Sequence, residues 1–460
     1  TAQAGEINGT RHRVLEYVGG QISPEQEPPK LLWVKEHLPE SWSRARRFFD
    51  LADYLVYEAC KRDVRSFCTV VCKWTYMGHE GEHGRWDTSF FEQIGLADLF
   101  TPNRVGERVR PMGTPAGKLT KRAAGELGLA EGTTVGVGII DAHAGGLGSL
   151  GMTGGGAGGD FSVEQVERTL ALVGGTSSCH MATSPEARFI PGVWGPYFGA
   201  MIPGMWLTEG GQSATGALLD HVIDNHAHAP QLRREAREHG ATVYELLNGR
   251  VEEMRRKARG DDGGDAAAPS SSDGGHYFSF AAELTADLHV LPDFHGNRSP
   301  RADAHARGMV SGLALDSSFE SLARVYLATI QAVAYGTRHI IEALNGRGYR
   351  ITRIHASGGG TKNPLWLQQH ADITGCEVYV AHASESVLLG AAILAAVAAG
   401  KYQSIVEAMG AMSPRAEVVR PRPESSAFHG RKYEVFKLMY EHQQEYRRIV
   451  QSSRAPSGAA

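Results

Sequence analysis

Along the chain, stretches of helical periodicity give way to short apolar runs. Residues 10–65 repeat apolar positions at helical spacing, and PKLLWVKEHL (29–38) opens on a proline. A first helical turn accepts proline because the missing N–H has no partner there in any case. GTPAGKLTKRAAGELGL (113–129) predicts a loop and then a helix. In TTVGVGIIDAHAGGLG (133–148) β-branched residues crowd ahead of Asp141, which predicts a buried strand ending on that carboxylate. TLALVGG (169–175) predicts another strand. Beyond it the pattern gives helices over 212–224 and 318–346, a strand over 351–356, a helix over 364–374, a strand over 377–381 and a helix over 386–399. Strands alternating with helices predict an α/β fold whose helices cover the faces of a sheet. A charged amphipathic helix is expected over 426–452.

Glycine punctuates this pattern. GMTGGGAGG (151–159) marks a boundary between a first domain over 1–150 and a second over 160–405, with a helical extension over 406–460. RGDDGGDAAAPSSSDGG (259–275) is too polar and glycine-rich to pack and is expected to be a disordered surface insertion. No fixed-period repeat is visible.

Composition narrows the class. The 460 residues are 42% hydrophobic and 21% charged, as in soluble globular proteins. A net charge of −4 supplies no basic field for nucleic acid or anionic membrane, so neither is an expected partner. SVLLGAAILAAVAAG (386–400) is too short to span a bilayer and predicts a tightly packed internal helix. The N-terminal residues carry no targeting pattern, and a cytoplasmic location is the expectation. The 5 cysteines are odd in number and scattered, which suits reduced thiols. Cys68 and Cys72 lie one helical turn apart without a second pair, so they are read as small buried hydrophobes, and no metal site is expected.

The candidate chemistry lies at strand ends. GGTSS (174–178) follows an apolar strand; Gly174 and Gly175 let backbone approach a ligand, while Thr176 and Ser177 supply hydroxyls and amides for phosphate oxygens. ASGGGTKNP (356–364) removes side chains where a flat ring or phosphate would lie, and Asn363 offers a donor and an acceptor to a purine edge. EGGQSATG (209–216) opens a helix whose first amides favour an anion. The nearest mimic of a Walker loop, GTPAGKLT (113–120), has the wrong spacing, and no GxGxxG follows a strand. Phosphate transfer is the class these loops favour.

GTPAGKLT, IIDAHAGGLG, GGTSSCHM, GVWGPYF, EGGQSATG, LPDFHGNRSP and SGGGTKNPLW, in that order, resemble the FGGY carbohydrate kinases, and most closely their ribulokinase branch. The resemblance implies an actin-like, ribonuclease H-like fold of two domains flanking a cleft. It implies ATP-dependent phosphorylation of a ketopentose, D-ribulose above others, with Mg2+ arriving on the ATP. Asp141 matches the family's general base. Lys73 and Glu209 match sugar contacts, Thr176 and its neighbour Gly175 the phosphate turn, and Gly216, Gly359 and Asn363 the adenosine positions. Asp220 stands where other members have glutamine, which leaves its role open. His143 is read as packing beside the base, and Arg298 as structural or at a domain interface. A homodimer is the expected assembly. The family's opening glycine hairpin and its Trp–Asp–Arg segment are not found, and Thr1 is read as beginning just after them. Two other classes compete: a non-catalytic sugar or nucleotide sensor, and an actin-like or chaperone-type ATPase. Intact Asp141, Lys73 and Glu209 favour the kinase over both.

Overall fold

The computed structural model describes residues 1–106, 108–154, 162–259, 281–381 and 385–452. The insertion expected over 259–275, apart from residue 259, and part of the 151–159 glycine loop lie outside the described residues.

The N-terminal third is mostly helical. Helices Glu27–His37, Leu51–Cys60 and α1 (Phe67–Trp74) are set by their first residues: Pro28 and Pro29 open one, the Asp50 side chain accepts from the Ala52 N–H, and Ser66 accepts from the Cys68 N–H. The apolar stripe of α1 buries Cys68, Val71, Cys72 and Trp74. One expectation fails here. The run before Asp141 is strand only over Thr134–Gly136, paired with Pro115–Lys118. The paired strand ends at Gly136 opposite Pro115, with one further bond from the Val137 N–H to the Thr114 carbonyl. The chain then passes through Gly138, whose carbonyl accepts from Ser66 Oγ at 2.6 Å. Asp141 is therefore the first residue of a helix, α2 (Asp141–Leu150), and not the last of a strand.

Strands β1 (Thr169–Gly174), β2 (Ser178–Ser184), β3 (Trp194–Phe198), β4 (Trp206–Gln212), β5 (Arg353–Ser357), β6 (Glu377–Val380) and β7 (Glu417–Val419) form a 7-stranded sheet in the order β7-β6-β5-β1-β2-β4-β3. β5 runs parallel to β1 and β6, and the remaining pairs are antiparallel. Alternation along β1 assigns its faces. Leu170 and Leu172 join the core beneath α3 (Gly216–Asp224), α4 (Phe319–Asn345) and α5 (Pro364–Thr374). Ala171 and Val173 face the core shared with the N-terminal helices, α2 and α6 (Ser386–Ala398).

α2 and α6 cross almost backbone to backbone. A Cβ on Gly148 would lie 2.0 Å from the Ser386 carbonyl oxygen, and one on Gly390 would lie 1.9 Å from that of Ala144. The alanine- and glycine-rich composition of 386–400 is thus the requirement of this crossing. Residues beyond 405, expected as a helical extension, also contribute the edge strand β7. The closing helix α7 (Ser426–Ser452) ties down the 285–307 region: Lys432 Nζ donates to the carbonyls of Thr285 and Leu288 at 2.7 and 2.6 Å, and Asp303 accepts from Tyr440, Gln444 and Arg447. Among the described residues no helix is long and apolar enough to cross a membrane.

Candidate active site

The glycine turns expected from sequence meet at one end of the sheet. The turn between β1 and β2 is pinned to the start of α3: the N–H groups of Thr215 and Ala217 donate to the Thr176 carbonyl, and that of Gly216 to the Gly175 carbonyl. A side chain at Gly216 would stand 2.6 Å from the Gly175 oxygen, so only glycine permits the contact. The third turn closes from the other side. Gly358, at φ +88°, would place a Cβ 2.4 Å from the Gly174 oxygen. Gly175 and Thr176 are exposed here, beside exposed Gly359. The result is a cradle of exposed backbone, the form that a nucleotide phosphate chain fits.

Asp141 stands at the same end. Ser149 O, near the end of α2, accepts from His355 Nδ1 at 2.8 Å, and His355 neighbours Ala171 in the sheet. Gly145, one turn after Asp141, lies against Val173. α2 therefore runs antiparallel to β1, and its first residue projects past Val173 toward the Gly174–Ser177 turn. The carboxylate is exposed, with Oδ1 taking the Ala142 N–H at 2.8 Å. It is also close enough to β2 to help hold the Cys179 thiol above its ordinary range, behind the larger effects of burial and Glu209.

Behind Asp141 the charged groups are buried. Glu209, in the middle of β4, is 7% exposed. Its Oε1 accepts from Arg298 at 2.6 Å and its Oε2 lies 3.0 Å from His143 Nε2. Burial by itself would push the carboxyl up. The His143 hydrogen bond, with the charges of Arg298, His143 and Lys73, outweighs it and holds the carboxyl at about 2. Arg298 in turn lies over the Trp194 ring at 3.9 Å. The half-buried Lys73, at the end of α1, has no ion pair within 4.0 Å among the described residues, which leaves its ammonium available.

On its other side His143 meets Cys68: Nδ1 and Sγ are 3.1 Å apart. Burial opposes a charge on the ring, yet Cys68 and Glu209 flanking it raise it to about 10. Burial likewise pushes the Cys68 thiol up, but Cys72 and the imidazolium bring it well below its usual value. Cys72, buried beside a thiolate, goes the other way. Cys68 and Cys72 are therefore not inert packing: with His143 they put three ligand-type atoms within 4.8 Å of one another. Sequence reading missed this cluster and the Arg298–Glu209 pair. The one-turn spacing of the two cysteines was the only hint.

The remaining expected residues are placed unevenly. Asp220, exposed on α3, accepts a hydrogen bond from Tyr244 and is 24 residues from it in sequence. Asn363 caps α5, its Oδ1 accepting from the Leu365 and Trp366 N–H groups and from Asn248, while Nδ2 donates to Tyr326 Oη at 2.7 Å. Its acceptor is fully used within the protein, so the expected two-sided contact with a purine edge reduces to one spare N–H.

The comparisons with known proteins accord with this arrangement. The C-terminal domain of the FGGY family of carbohydrate kinases matches residues 170–399. An FGGY carbohydrate kinase domain-containing protein of Xenopus laevis is 47% identical over 452 residues, spanning 97% of this chain and 78% of that one. A D-ribulokinase of Saccharomyces cerevisiae is 36% identical over 424 residues, spanning 86% of this chain and 56% of that one. The solved structure of a xylulose kinase from Rhodospirillum rubrum aligns with a TM-score of 0.70 at 21% identity, covering 97% of this chain and 78% of its own. That likeness carries the actin-like two-domain fold. With glycine turns, an exposed carboxylate and buried polar groups at one mouth, and with relatives of this identity and coverage, the chain belongs to the FGGY family of carbohydrate kinases.

Proposed function

We propose that the protein phosphorylates a ketopentose with ATP, D-ribulose being the first candidate, and that Asp141 is the general base. The observation that carries this reading is the arrangement of α2: its first residue stands beside the three converging glycine turns, while two residues on His143 touches Glu209. A terminal sugar hydroxyl held between the two lobes would give its proton to an Asp141 oxygen while its own oxygen attacks the γ-phosphorus and ADP leaves. Lys73 and Glu209 are assigned to the sugar hydroxyls, one as donor and the other as acceptor, because one lacks an ion pair and the other is held ionised. Gly175, Thr176, Gly216 and Gly359 are assigned to the nucleotide, with Asn363 and Asp220 at its far end.

ATP fits the residues present, since the cradle is one that added Cβ atoms would fill. Mg2+ is expected on the ATP phosphates, where it neutralises charge. The hard oxygens at this mouth, the Asp141 carboxylate and the Thr176 and Ser177 hydroxyls, suit it. The cysteines, all free in the structure, accord with a reducing cytoplasm.

Asp141→Asn tests the reading. ADP release with D-ribulose should fall by about a hundredfold or more, the range of general-base catalysis, while nucleotide affinity stays within about twofold. Unchanged turnover removes Asp141 from the mechanism. A panel of D-ribulose, L-ribulose, xylulose, ribitol and glycerol tests the substrate, and preference for a substrate other than a ketopentose refutes that part.

A further inference from the structure

The bonding of His143 constrains its protons. Its Nδ1 faces Cys68 Sγ at 3.1 Å and its Nε2 faces Glu209 Oε2 at 3.0 Å, in a buried setting where Cys68 is 0% and His143 1% exposed. Glu209 is acceptor-only, so Nε2 must carry a hydrogen. The contact to sulphur is then satisfied in two ways: a thiol donating to a bare Nδ1, or an imidazolium donating to a thiolate. Both place an N–H on the Glu209 side. Cys68 thus fixes the tautomer and the ring plane of His143, as a carboxylate or carbonyl does behind other functional histidines.

We propose that Cys68 and His143 are positioning residues of the sugar site, a relay that locks the Glu209 carboxylate in one orientation as an acceptor for sugar hydroxyls. This rests on the reading of Glu209 as a sugar contact. Arg298 holds one carboxylate oxygen and His143 the other, so neither rotation nor withdrawal of the carboxylate is free. The relay also ties two N-terminal helices to the sheet: Cys68 belongs to α1, whose last turn carries Lys73, His143 to α2, whose first residue is Asp141, and Glu209 to β4. A sugar thereby meets a donor, an acceptor and a base linked through the Cys68–His143 contact.

The same Cys68, Cys72 and His143 atoms also have the chemistry of soft-metal ligands, with a carboxylate behind the imidazole. The spacing favours the proton. Zinc held at about 2.3 Å from sulphur and about 2.05 Å from nitrogen keeps those atoms about 3.6 Å apart in a tetrahedron. The observed 3.1 Å is a hydrogen-bond length.

The test compares Cys68→Ala, Cys68→Ser and Glu209→Gln in the full chain, by calorimetric binding of D-ribulose and of ADP, melting temperature and metal content. Cys68→Ala should weaken D-ribulose binding about tenfold and leave ADP binding within twofold. Cys68→Ser, whose hydroxyl also partners Nδ1, should recover to within about threefold. Three results overturn the proposal: sugar binding unchanged in Cys68→Ala while Glu209→Gln abolishes it; equal losses of sugar and ADP binding in both Cys68 variants, the mark of a merely structural role; or about one zinc per purified chain that disappears in Cys68→Ala. If Glu209→Gln itself binds D-ribulose normally, the sugar-site reading falls, and this relay with it.

Discussion

Replacing Gly390 by alanine puts the α2–α6 crossing to a quantitative test. The added Cβ would sit 1.9 Å from the Ala144 carbonyl oxygen, 2.6 Å from its carbonyl carbon and 3.0 Å from its Cα. All three are backbone atoms, so no side-chain rotation relieves the clash. Ordinary contact begins near 3.4 Å, so the helices must separate by about 1.5 Å. Alanine gains roughly 0.8–1 kcal/mol of helix propensity over glycine, but overpacking of this kind costs about 1–3 kcal/mol or more. A clash with rigid backbone takes the upper end of that cost, so the net expectation is a loss of roughly 2 kcal/mol, which lowers Tm by roughly 4–8 °C in a domain of about 200 residues. Function should suffer more than stability. Ala144 is in the first turn of α2, so the shift carries Asp141 with it, and a displacement of about 1 Å at a reacting group costs about a hundredfold in rate. Differential scanning calorimetry and ADP release measured on the same preparation give both numbers. Gly430→Ala is the control: a Cβ there meets nothing within 4 Å, and the change should be neutral or stabilising. A Gly390→Ala protein melting within about 1 °C of the parent, with turnover within twofold, would refute the reasoning.

Arg298→Met strips one partner from the buried Glu209 carboxylate and should cost about 3–5 kcal/mol in urea unfolding at pH 7. Because Glu209 is held at about 2, below its ordinary value, its stabilisation is present above about pH 4.5 and fades as pH falls toward 2. The penalty of Arg298→Met should shrink over that window, and a pH-independent penalty would contradict the assignment. Asp53 runs the opposite way. Burial raises it to about 7 despite hydrogen bonds from Thr69 and Ser66, so the folded chain binds the extra proton between about pH 4 and 7. Its contribution to stability therefore falls as pH rises through that range, and Asp53→Asn should flatten the Tm profile between pH 5 and 8; an unchanged slope argues against it. Lys432→Met removes the ammonium donor from the Leu288 carbonyl and one donor from the Thr285 carbonyl and should destabilise by about 1–3 kcal/mol in denaturant titration. No change there would mean water replaces the ammonium.

The sequence was most informative where one periodicity was uncontested. The strand over 377–380 and the helices over 364–374 and 386–398 follow their apolar patterns closely, because each buries a face against a single neighbouring layer. Asp141 was identified as the base candidate but put on the wrong element. Its β-branched prelude looks like a strand, but the segment it would pair with, Pro115–Lys118, lies some twenty residues earlier in the chain and reaches only Thr134–Gly136. The glycine turns were legible as turns at strand ends, though not their mutual contacts, since the Gly175–Gly216 and Gly174–Gly358 approaches join distant segments. Cys68 and His143, 75 residues apart, and Arg298 and Glu209, 89 apart, leave no trace in local periodicity. Asn363 drew attention for a nucleotide, yet a helix cap explains most of its hydrogen bonds.

The bonds from Lys432 to Thr285 and Leu288 join residues up to 147 positions apart, and they fasten the segment that leads to Arg298. During synthesis this means a wait. At roughly 5–20 residues per second, some 7–30 s pass between the ribosome's adding residue 285 and its adding the lysine that secures it. Through that interval the segment bearing the arginine lacks its lysine clamp and is held only by contacts such as those of Arg298 with Glu209 and Trp194. The nascent chain gains the last strand of its sheet, β7, only shortly before the lysine that sets its charged centre.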